Sequence, residues 1–194
     1  MADTTSQQSS ERDTALVARA RAFAHQAHGA IEQTRKYTGE PYTVHLAAVA
    51  ALVESAGGTA EMVAAAWLHD VVEDTPTTLR TVAAEFGSAV GALVEQLTDV
   101  SKPEDGNRAV RKALDRDHLA EASPEAQTVK LADLIDNSDS ITEHDPGFAR
   151  VYMQEKRELL KVLTAGDRDL WARANAIVEG YEAGRDADAN RRRC

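Results

Sequence analysis

The sequence has little cysteine and no long hydrophobic run, and each shortage excludes a class of protein. Cys194 is its one cysteine, so an intrachain disulfide framework is excluded and a reducing compartment fits best. No apolar run reaches the ~18 residues that a membrane-spanning helix needs. The first residues also lack the basic and apolar segments of a secretion signal. We therefore expect a cytoplasmic protein with no membrane partner.

Positive charge is also in short supply. The chain has 22 Lys and Arg against 32 Asp and Glu, which gives a formal net charge of -10. This balance argues against a nucleic-acid partner, because general nucleic-acid binders present a basic surface to the phosphates. Neither a G-x-G-x-x-G nor a G-x-x-x-x-G-K-[ST] phosphate loop occurs. An anionic substrate would therefore need a local basic patch.

What the sequence does contain is helical periodicity, nearly from end to end. Its 194 residues, 43% of them hydrophobic, are enough to bury one substantial core. Strand-like alternation is absent, so we predict an all-α, compact bundle of about eight to nine helices in one domain at residues 14–183. Polar composition predicts flexible tails at 1–13 and 184–194. The predicted helices cover 15–30, 44–56, 60–72, 79–86, 90–97, 108–119, 124–141, 148–163 and 170–181.

The most informative segment places His69-Asp70 and Glu73-Asp74 at the end of an apolar run. Residues 60–72 are almost wholly apolar, so we predict one helix there, with the acidic cluster in its last turn. Carboxylates spaced three and four residues apart repel one another, and the negative end of the helix dipole adds to that cost. A bound cation would reverse the sign of this interaction, so the segment favours a metal site.

Two other segments offer partners for this pair. A basic, glycine-bearing loop that contains Arg35 and Lys36 leads into a helix whose first turn carries His45. Further along, helical spacing places Lys130, Asp133, Asp136 and Asn137 on one stripe. A carboxylate on that stripe could complete a metal site. By contrast, His25 and His28 have no third ligand nearby in the sequence, so we predict surface or packing roles for them.

In their order along the chain, His45, His69-Asp70 and Asp133 resemble the H…HD…D signature of the HD phosphohydrolase superfamily. The surrounding motifs are more specific still. The segments at 35–45, 69–75, 98–102 and 129–137 resemble the hydrolase domain of Rel/Spo alarmone enzymes and its stand-alone relatives, the small alarmone hydrolases. The resemblance covers roughly residues 14–165, and we expect no synthetase domain in the remainder.

This resemblance implies an all-helical fold that holds one Mn²⁺ and removes the 3′-pyrophosphate from guanosine tetra- or pentaphosphate, a small-molecule nucleotide. It implies that His45, His69, Asp70 and Asp133 bind the metal. It also implies that Glu73 and Asp74 orient or deprotonate the attacking water. Two imidazoles with two carboxylates suit Mn²⁺, Fe²⁺ or Zn²⁺, so the ligand chemistry alone leaves the ion open. The residues expected at the substrate are Arg35, Lys36, Tyr42, Lys102, Arg108, Lys130 and Asn137.

The stripe after Asp133 departs from the family pattern, because two positions that are usually basic are Leu134 and Asp139 here. That difference keeps two alternatives open. One is an HD phosphohydrolase of another nucleotide, such as the adenosine alarmone (p)ppApp or NADPH. The other is a non-catalytic HD module that binds metal or nucleotide. The oligomeric state leaves no clear signature, and a homodimer is one alternative.

Overall fold

The computed structural model describes residues 2–191, with side chains described for residues 7–184. Within that part of the chain there is no β-strand, which confirms the all-α prediction, and no helix is both long and apolar enough to cross a lipid bilayer. Ten α-helices and one 3₁₀ turn at Pro103–Asp105 follow one another through these residues. The α-helices are α1 Ala2–Ala30, α2 Thr43–Ser55, α3 Ala60–Leu68, α4 Val71–Asp74, α5 Leu79–Phe86, α6 Ser88–Leu97, α7 Arg108–Ala120, α8 Pro124–His144, α9 Pro146–Leu160 and α10 Arg168–Arg191.

The third helix, α3, lies at the centre of the bundle. Helices α1, α2, α6 and α8 pack around it, and every residue from Met62 to Leu68 is buried. A helix enclosed on all sides has no polar face, which explains the nearly unbroken apolar run in the sequence. Thr59 caps the N-terminus of the helix, because its hydroxyl accepts a hydrogen bond from the Met62 N–H. At Gly58 an added Cβ would lie 2.6 Å from Val53 Cγ1, so the close approach of α2 and α3 requires glycine there.

The prediction of one continuous helix over residues 60–72 was wrong. Helix α3 ends at Leu68, and the single-turn helix α4 begins at Val71. His69 Nδ1 donates to the Ala66 carbonyl oxygen at 2.8 Å. In a continuous α-helix that carbonyl would accept from the Asp70 N–H, so the imidazole replaces a backbone hydrogen bond. The chain therefore bends at His69 and Asp70, and the acidic pair lies in α4.

Both terminal helices extend beyond their predicted limits. Helix α1 begins at Ala2 and not near residue 15, and α10 continues to Arg191 and not to 181. The side chains of residues 7–15 are exposed, so the first part of α1 has no buried stripe that periodicity could detect. The domain limits at 14 and 183 stay predictions, and positions 192–194 of the predicted C-terminal tail lie outside the described residues.

A hairpin-like loop at residues 31–42, here called the α1–α2 loop, carries side chains to the bend between α3 and α4. Thr34 and Pro41 form an antiparallel bridge. Arg35 N–H donates to the Glu40 carbonyl at 2.8 Å, and Tyr42 N–H donates to the Gln33 carbonyl at 3.0 Å. This backbone pairing fixes the register of the loop and therefore the direction of each of its side chains.

Candidate metal and active site

The structure brings all of the predicted metal ligands together. His45 comes from the first turn of α2, His69 and Asp70 from the bend, and Asp133 from the middle of α8. His45 Nε2 lies 3.3 Å from His69 Nε2 and 3.4 Å from Asp133 Oδ1. Asp70 Oδ2 lies 3.1 Å from His69 Nε2. One ligand atom from each of His45, His69 and Asp70 lies within 4.8 Å of the others, so these residues could hold a divalent ion.

The hydrogen bonds of the two imidazole Nδ1 atoms indicate which ring nitrogens are available to bind a cation. His45 Nδ1 lies 2.7 Å from Asp136 Oδ2, and His69 Nδ1 lies 2.8 Å from the Ala66 carbonyl oxygen. Both partners are acceptors, so both Nδ1 atoms carry the proton. The two Nε2 lone pairs then face each other across 3.3 Å. Only a shared proton or a cation makes that contact favourable, and the donor set therefore fits a bound metal ion.

Electrostatics within the cluster agree with this reading. Burial lowers the pKa of His69, but the carboxylates of Asp70 and Asp133 outweigh burial and raise that pKa well above its usual value. Burial raises the pKa of Asp133, while Lys130 and the two imidazoles hold it well below its usual range. The carboxylates are thus ionised and the site attracts positive charge. A divalent ion would displace the protons that the imidazoles take up in its absence.

Side chains around Asp133 fix its orientation. Lys130 Nζ lies 2.8 Å from Asp133 Oδ2, and Asn137 Nδ2 donates to Oδ1 at 2.6 Å. Both residues lie on α8 within one turn of Asp133, which confirms their predicted position on one stripe. Tyr42 OH in turn donates to Asp70 Oδ2. Each carboxylate of the cluster is therefore held by a neighbouring donor.

The acidic pair of α4 lies at the exposed rim of the cluster. Glu73 Oε1 accepts from the Asp99 N–H at 2.8 Å, and Asp74 Oδ2 accepts from Gln33 Nε2 at 2.8 Å. Glu73 keeps one side in solvent, yet desolvation of its other side and the charges of Asp99 and Asp70 raise its pKa to about 7. Desolvation likewise raises the pKa of Asp74, against the hydrogen bond from Gln33. Glu73 can therefore exchange a proton near neutral pH.

A cavity of about 430 Å³ adjoins the cluster between α7, α8 and α9. Asp133 belongs to both, since its carboxylate lines the cavity wall and also contacts the imidazoles. The volume lies within the range of small-molecule sites. The basic residues of its lining are Arg108, Lys112, Arg116, Lys130 and Lys156. The acidic residues of the same lining are Asp99, Asp115, Asp133, Glu155 and Glu158. The cavity thus concentrates cations that an anionic substrate could contact, but acidic residues of the protein offset their charge.

Most of the cations lining this cavity are already paired with acidic residues of the protein. Arg108 makes two hydrogen bonds to Glu155, at 2.7 and 2.8 Å, and Lys112 Nζ donates to Asp99 Oδ2 at 2.8 Å. Lys156 differs, because its contacts are the Leu134 carbonyl, at 3.1 Å, and the Ser138 hydroxyl. Burial lowers the pKa of Lys156 to about 8. An anionic ligand that enters the cavity would have to replace these acidic residues as the partners of the cations.

The predicted substrate residues divide into three groups. Arg108, Lys130 and Asn137 line the cavity. Tyr42 donates to the cluster carboxylate of Asp70, and Arg35 pairs at 2.8 Å with Asp136, which in turn bonds His45. Lys36 and Lys102 are exposed and absent from the cavity lining, with the Lys36 ammonium beside Tyr37 and Asp145.

Sequence reasoning missed three residues that contact the site. Asp136 bonds His45, although it was noted only for its position on the α8 stripe. Gln33 bonds Asp74, and buried His28 bonds Gln33 through Nδ1 at 2.6 Å. His28 was predicted to lie at the surface or to pack; it does pack, but in contact with the active-site network. A signal for Gln33 and His28 was their closeness in sequence to Arg35, though no spacing rule relates them to Asp74.

Comparison with known proteins places this cluster in a family. The sequence model of the HD domain family matches residues 20–171. A guanosine-3′,5′-bis(diphosphate) 3′-pyrophosphohydrolase, MESH1, from Xenopus tropicalis is 34% identical over 176 residues, which is 87% of this chain and 91% of the relative. A probable guanosine-3′,5′-bis(diphosphate) 3′-pyrophosphohydrolase from Synechocystis is 36% identical over 151 residues, covering 76% of this chain but only 20% of that protein.

A solved structure agrees with these sequence matches. A metazoan ortholog of SpoT, described as hydrolysing ppGpp, superposes with a TM-score of 0.76 at 26% identity, over 86% of this chain and 96% of the other. The chain belongs to the HD domain family and, within it, to the family of the MESH1 hydrolases.

Proposed function

We propose that the protein is a metal-dependent hydrolase that removes the 3′-pyrophosphate of guanosine 3′,5′-bis(diphosphate) and the corresponding pentaphosphate. The observation that carries this proposal is the assembly of His45, His69, Asp70 and Asp133 next to the acidic pair Glu73-Asp74. The likeness to hydrolases named for this substrate, over most of their length in the case of MESH1, supports it.

The four cluster residues would hold the ion through two imidazole Nε2 atoms and two carboxylates. When bound, a divalent ion supplies Lewis acidity, which polarises a phosphoryl oxygen and makes water more acidic. Mn²⁺ is our proposed ion, with Fe²⁺ or Zn²⁺ as alternatives, because nitrogen and oxygen ligands suit all of these.

The reaction needs a base for the attacking water. The water oxygen forms a bond to the phosphorus attached to the 3′ oxygen, the bond from that phosphorus to the 3′ oxygen breaks, and the 3′ oxygen takes up a proton. Glu73 Oε1 is bonded to the Asp99 N–H, which leaves Oε2 free to accept the proton of the water. A carboxylate with a pKa of about 7 is well matched to that task. Asp74, held by Gln33, would orient the water.

The cavity would bind the rest of the nucleotide. Lys130 and Asn137 lie at the end nearest the cluster, where they would offset charge on the attacked phosphoryl group and on the leaving 3′ oxygen, and Arg108 and Lys112 lie on α7. Electrostatic stabilisation by such positioned cations is the main source of catalysis in phosphoryl transfer. We further propose that the hydrolase forms one domain at 14–183, acts in the cytoplasm and has no nucleic-acid partner.

Product analysis tests this proposal directly. Purified protein is incubated with guanosine tetraphosphate, its adenosine counterpart and NADPH, each with and without Mn²⁺, and the products are separated by ion-exchange chromatography. The Asp70→Asn variant is the control for contaminating hydrolases. We expect metal-dependent release of pyrophosphate from the guanosine compound. Cleavage of only another compound would change the substrate, and no turnover of any of them would contradict the enzyme assignment.

A further inference from the structure

The two imidazoles of the cluster have unequal hydrogen-bond partners. His69 Nδ1 donates to a neutral carbonyl, that of Ala66. His45 Nδ1 donates to a carboxylate, that of Asp136, at 2.7 Å. The same oxygen, Asp136 Oδ2, also lies 2.8 Å from the guanidinium nitrogen Nη2 of Arg35. Asp136 is therefore held on one side by the α1–α2 loop and on the other by the buried His45.

This arrangement determines how His45 can bind a metal. An imidazole has two nitrogen atoms, and the proton on Nδ1 leaves the lone pair on Nε2. The Asp136 carboxylate keeps the proton on Nδ1, so the Nε2 lone pair points toward His69 and Asp133. A carboxylate partner also makes the ring a stronger donor to a cation than a carbonyl partner does.

Arg35 gives Asp136 a second restraint. Its side chain is 12% exposed, and the Asp136 side chain is 16% exposed, so the pair is largely removed from water. An ion pair in that setting holds the carboxylate in one orientation. Because the backbone of Arg35 is paired with that of Glu40 within the loop, Arg35 is held in place and contributes to the geometry of His45 through Asp136.

We propose that Asp136 is a positioning residue for the metal site, which sets the tautomer of His45 and raises the affinity of the cluster for a divalent ion. This rests on the proposed function in one respect, namely that His45 is a metal ligand. Asp136 would not touch the substrate or the reacting atoms. Arg35, predicted from the sequence as a substrate residue, would act in part through Asp136.

The test measures the affinity of the purified protein for Mn²⁺ alone, by calorimetric titration, in variants of two aspartates on α8. Asp136→Asn keeps the size of the side chain but removes the charge, and Asp136→Ala removes the acceptor. We expect losses of about 10-fold and about 100-fold, the range for partners of metal-bound histidines. Asp139→Asn and Asp139→Ala are the matched controls, because Asp139 is exposed, lies one turn further along α8 and has no side-chain contact with His45.

A second measurement separates positioning from a merely structural role. Nitrogen chemical shifts of the His45 ring, measured without metal, report which nitrogen carries the proton. We expect Nδ1–H in the native protein and a loss of that preference in Asp136→Ala. Helical circular dichroism gives the folded fraction of each variant, and if the alanine variant does not fold, the asparagine variant decides.

Mn²⁺ affinities within about twofold of the native value in folded Asp136 variants would overturn this proposal, since outer partners normally matter more than that. So would an unchanged His45 ring signature in folded Asp136→Ala. Because the titration uses no nucleotide, it is independent of the substrate. A native protein that binds Mn²⁺ tightly but cleaves no nucleotide would end the proposed function and leave this inference intact.

Discussion

The His–Asp cluster and the adjoining cavity lie side by side, yet charge is arranged differently in each. In the cluster, two imidazole lone pairs and ionised carboxylates converge without a cation of the protein between the imidazoles. In the cavity, Arg108 and Lys112 are neutralised by Glu155 and Asp99. The charges of the cluster thus favour a bound cation. The cavity is internally balanced, and an anion must compete for its cations. We infer that the cluster determines the reaction and the cavity determines the substrate.

The largest expected effect is the loss of the cluster itself. Asp70→Asn should reduce turnover by at least about 10³-fold, because it removes a charged ligand of the proposed metal ion and with it the Lewis acidity that the ion supplies. Mn²⁺ titration measures the expected loss of metal affinity, and the rate of pyrophosphate release measures the loss of turnover. Asp169→Asn, the same change at an exposed position in the first turn of α10, should leave both unchanged. Native-like turnover by Asp70→Asn would show that the reaction does not depend on this cluster.

Glu73→Gln separates the chemistry from the metal. We expect kcat to fall by about 10²–10⁴-fold, the usual value of a general base, while Mn²⁺ affinity stays within a fewfold of native. The glutamine can still accept from the Asp99 N–H, so the local structure should persist. Single-turnover kinetics at saturating Mn²⁺ measure the chemical step. An unchanged rate would assign the base to Asp74.

Paired substitutions test whether the cavity is internally balanced. Arg108→Gln should raise KM by about tenfold with little change in kcat, since one charged contact to phosphate is worth about 1.4 kcal/mol. Glu155→Gln should lower KM, because it frees Arg108 from its two hydrogen bonds. Glu143→Gln, an exposed change outside the cavity, is the control. A KM equal to the native value in both cavity variants would mean that Arg108 does not contact the substrate.

The smallest effect concerns stability and pH. Without metal, the pKa of Glu73 is about 7 in the folded protein against 4.5 when exposed to water. The folded state therefore holds more protons than the unfolded state between those values, and stability falls as pH rises through this window. Because Glu73 is partly exposed, we expect Glu73→Gln to gain only about 1 kcal/mol at pH 8. At pH 4 it should gain nothing. Urea unfolding in EDTA at both pH values measures this, and an equal gain at the two pH values would attribute the effect to packing.

The nature of the chain explains which features could be predicted from the sequence. Helical periodicity needs only neighbouring residues, so nine helices could be located, and the buried α3 was evident from its apolar run. The break at His69 could not be predicted, because the apolar pattern continues through it and the cause is one side-chain bond to the Ala66 carbonyl. The start of α1 was missed for the opposite reason, since the side chains of residues 7–15 are exposed and produce no apolar pattern.

The sequence by itself determined the all-α class and the residues that form the cluster. Both follow from local features, namely the period of apolar residues and the motif that carries His45, His69-Asp70 and Asp133. Only the tertiary structure decided which side chains form hydrogen bonds to the cluster and to the acidic pair beside it. Gln33, Arg35 and Asp136 come from a loop and from α8, and their hydrogen bonds join positions up to 101 residues apart, as between Arg35 and Asp136. Such contacts depend on how the helices pack, so they could not be predicted from the spacing of residues along the sequence.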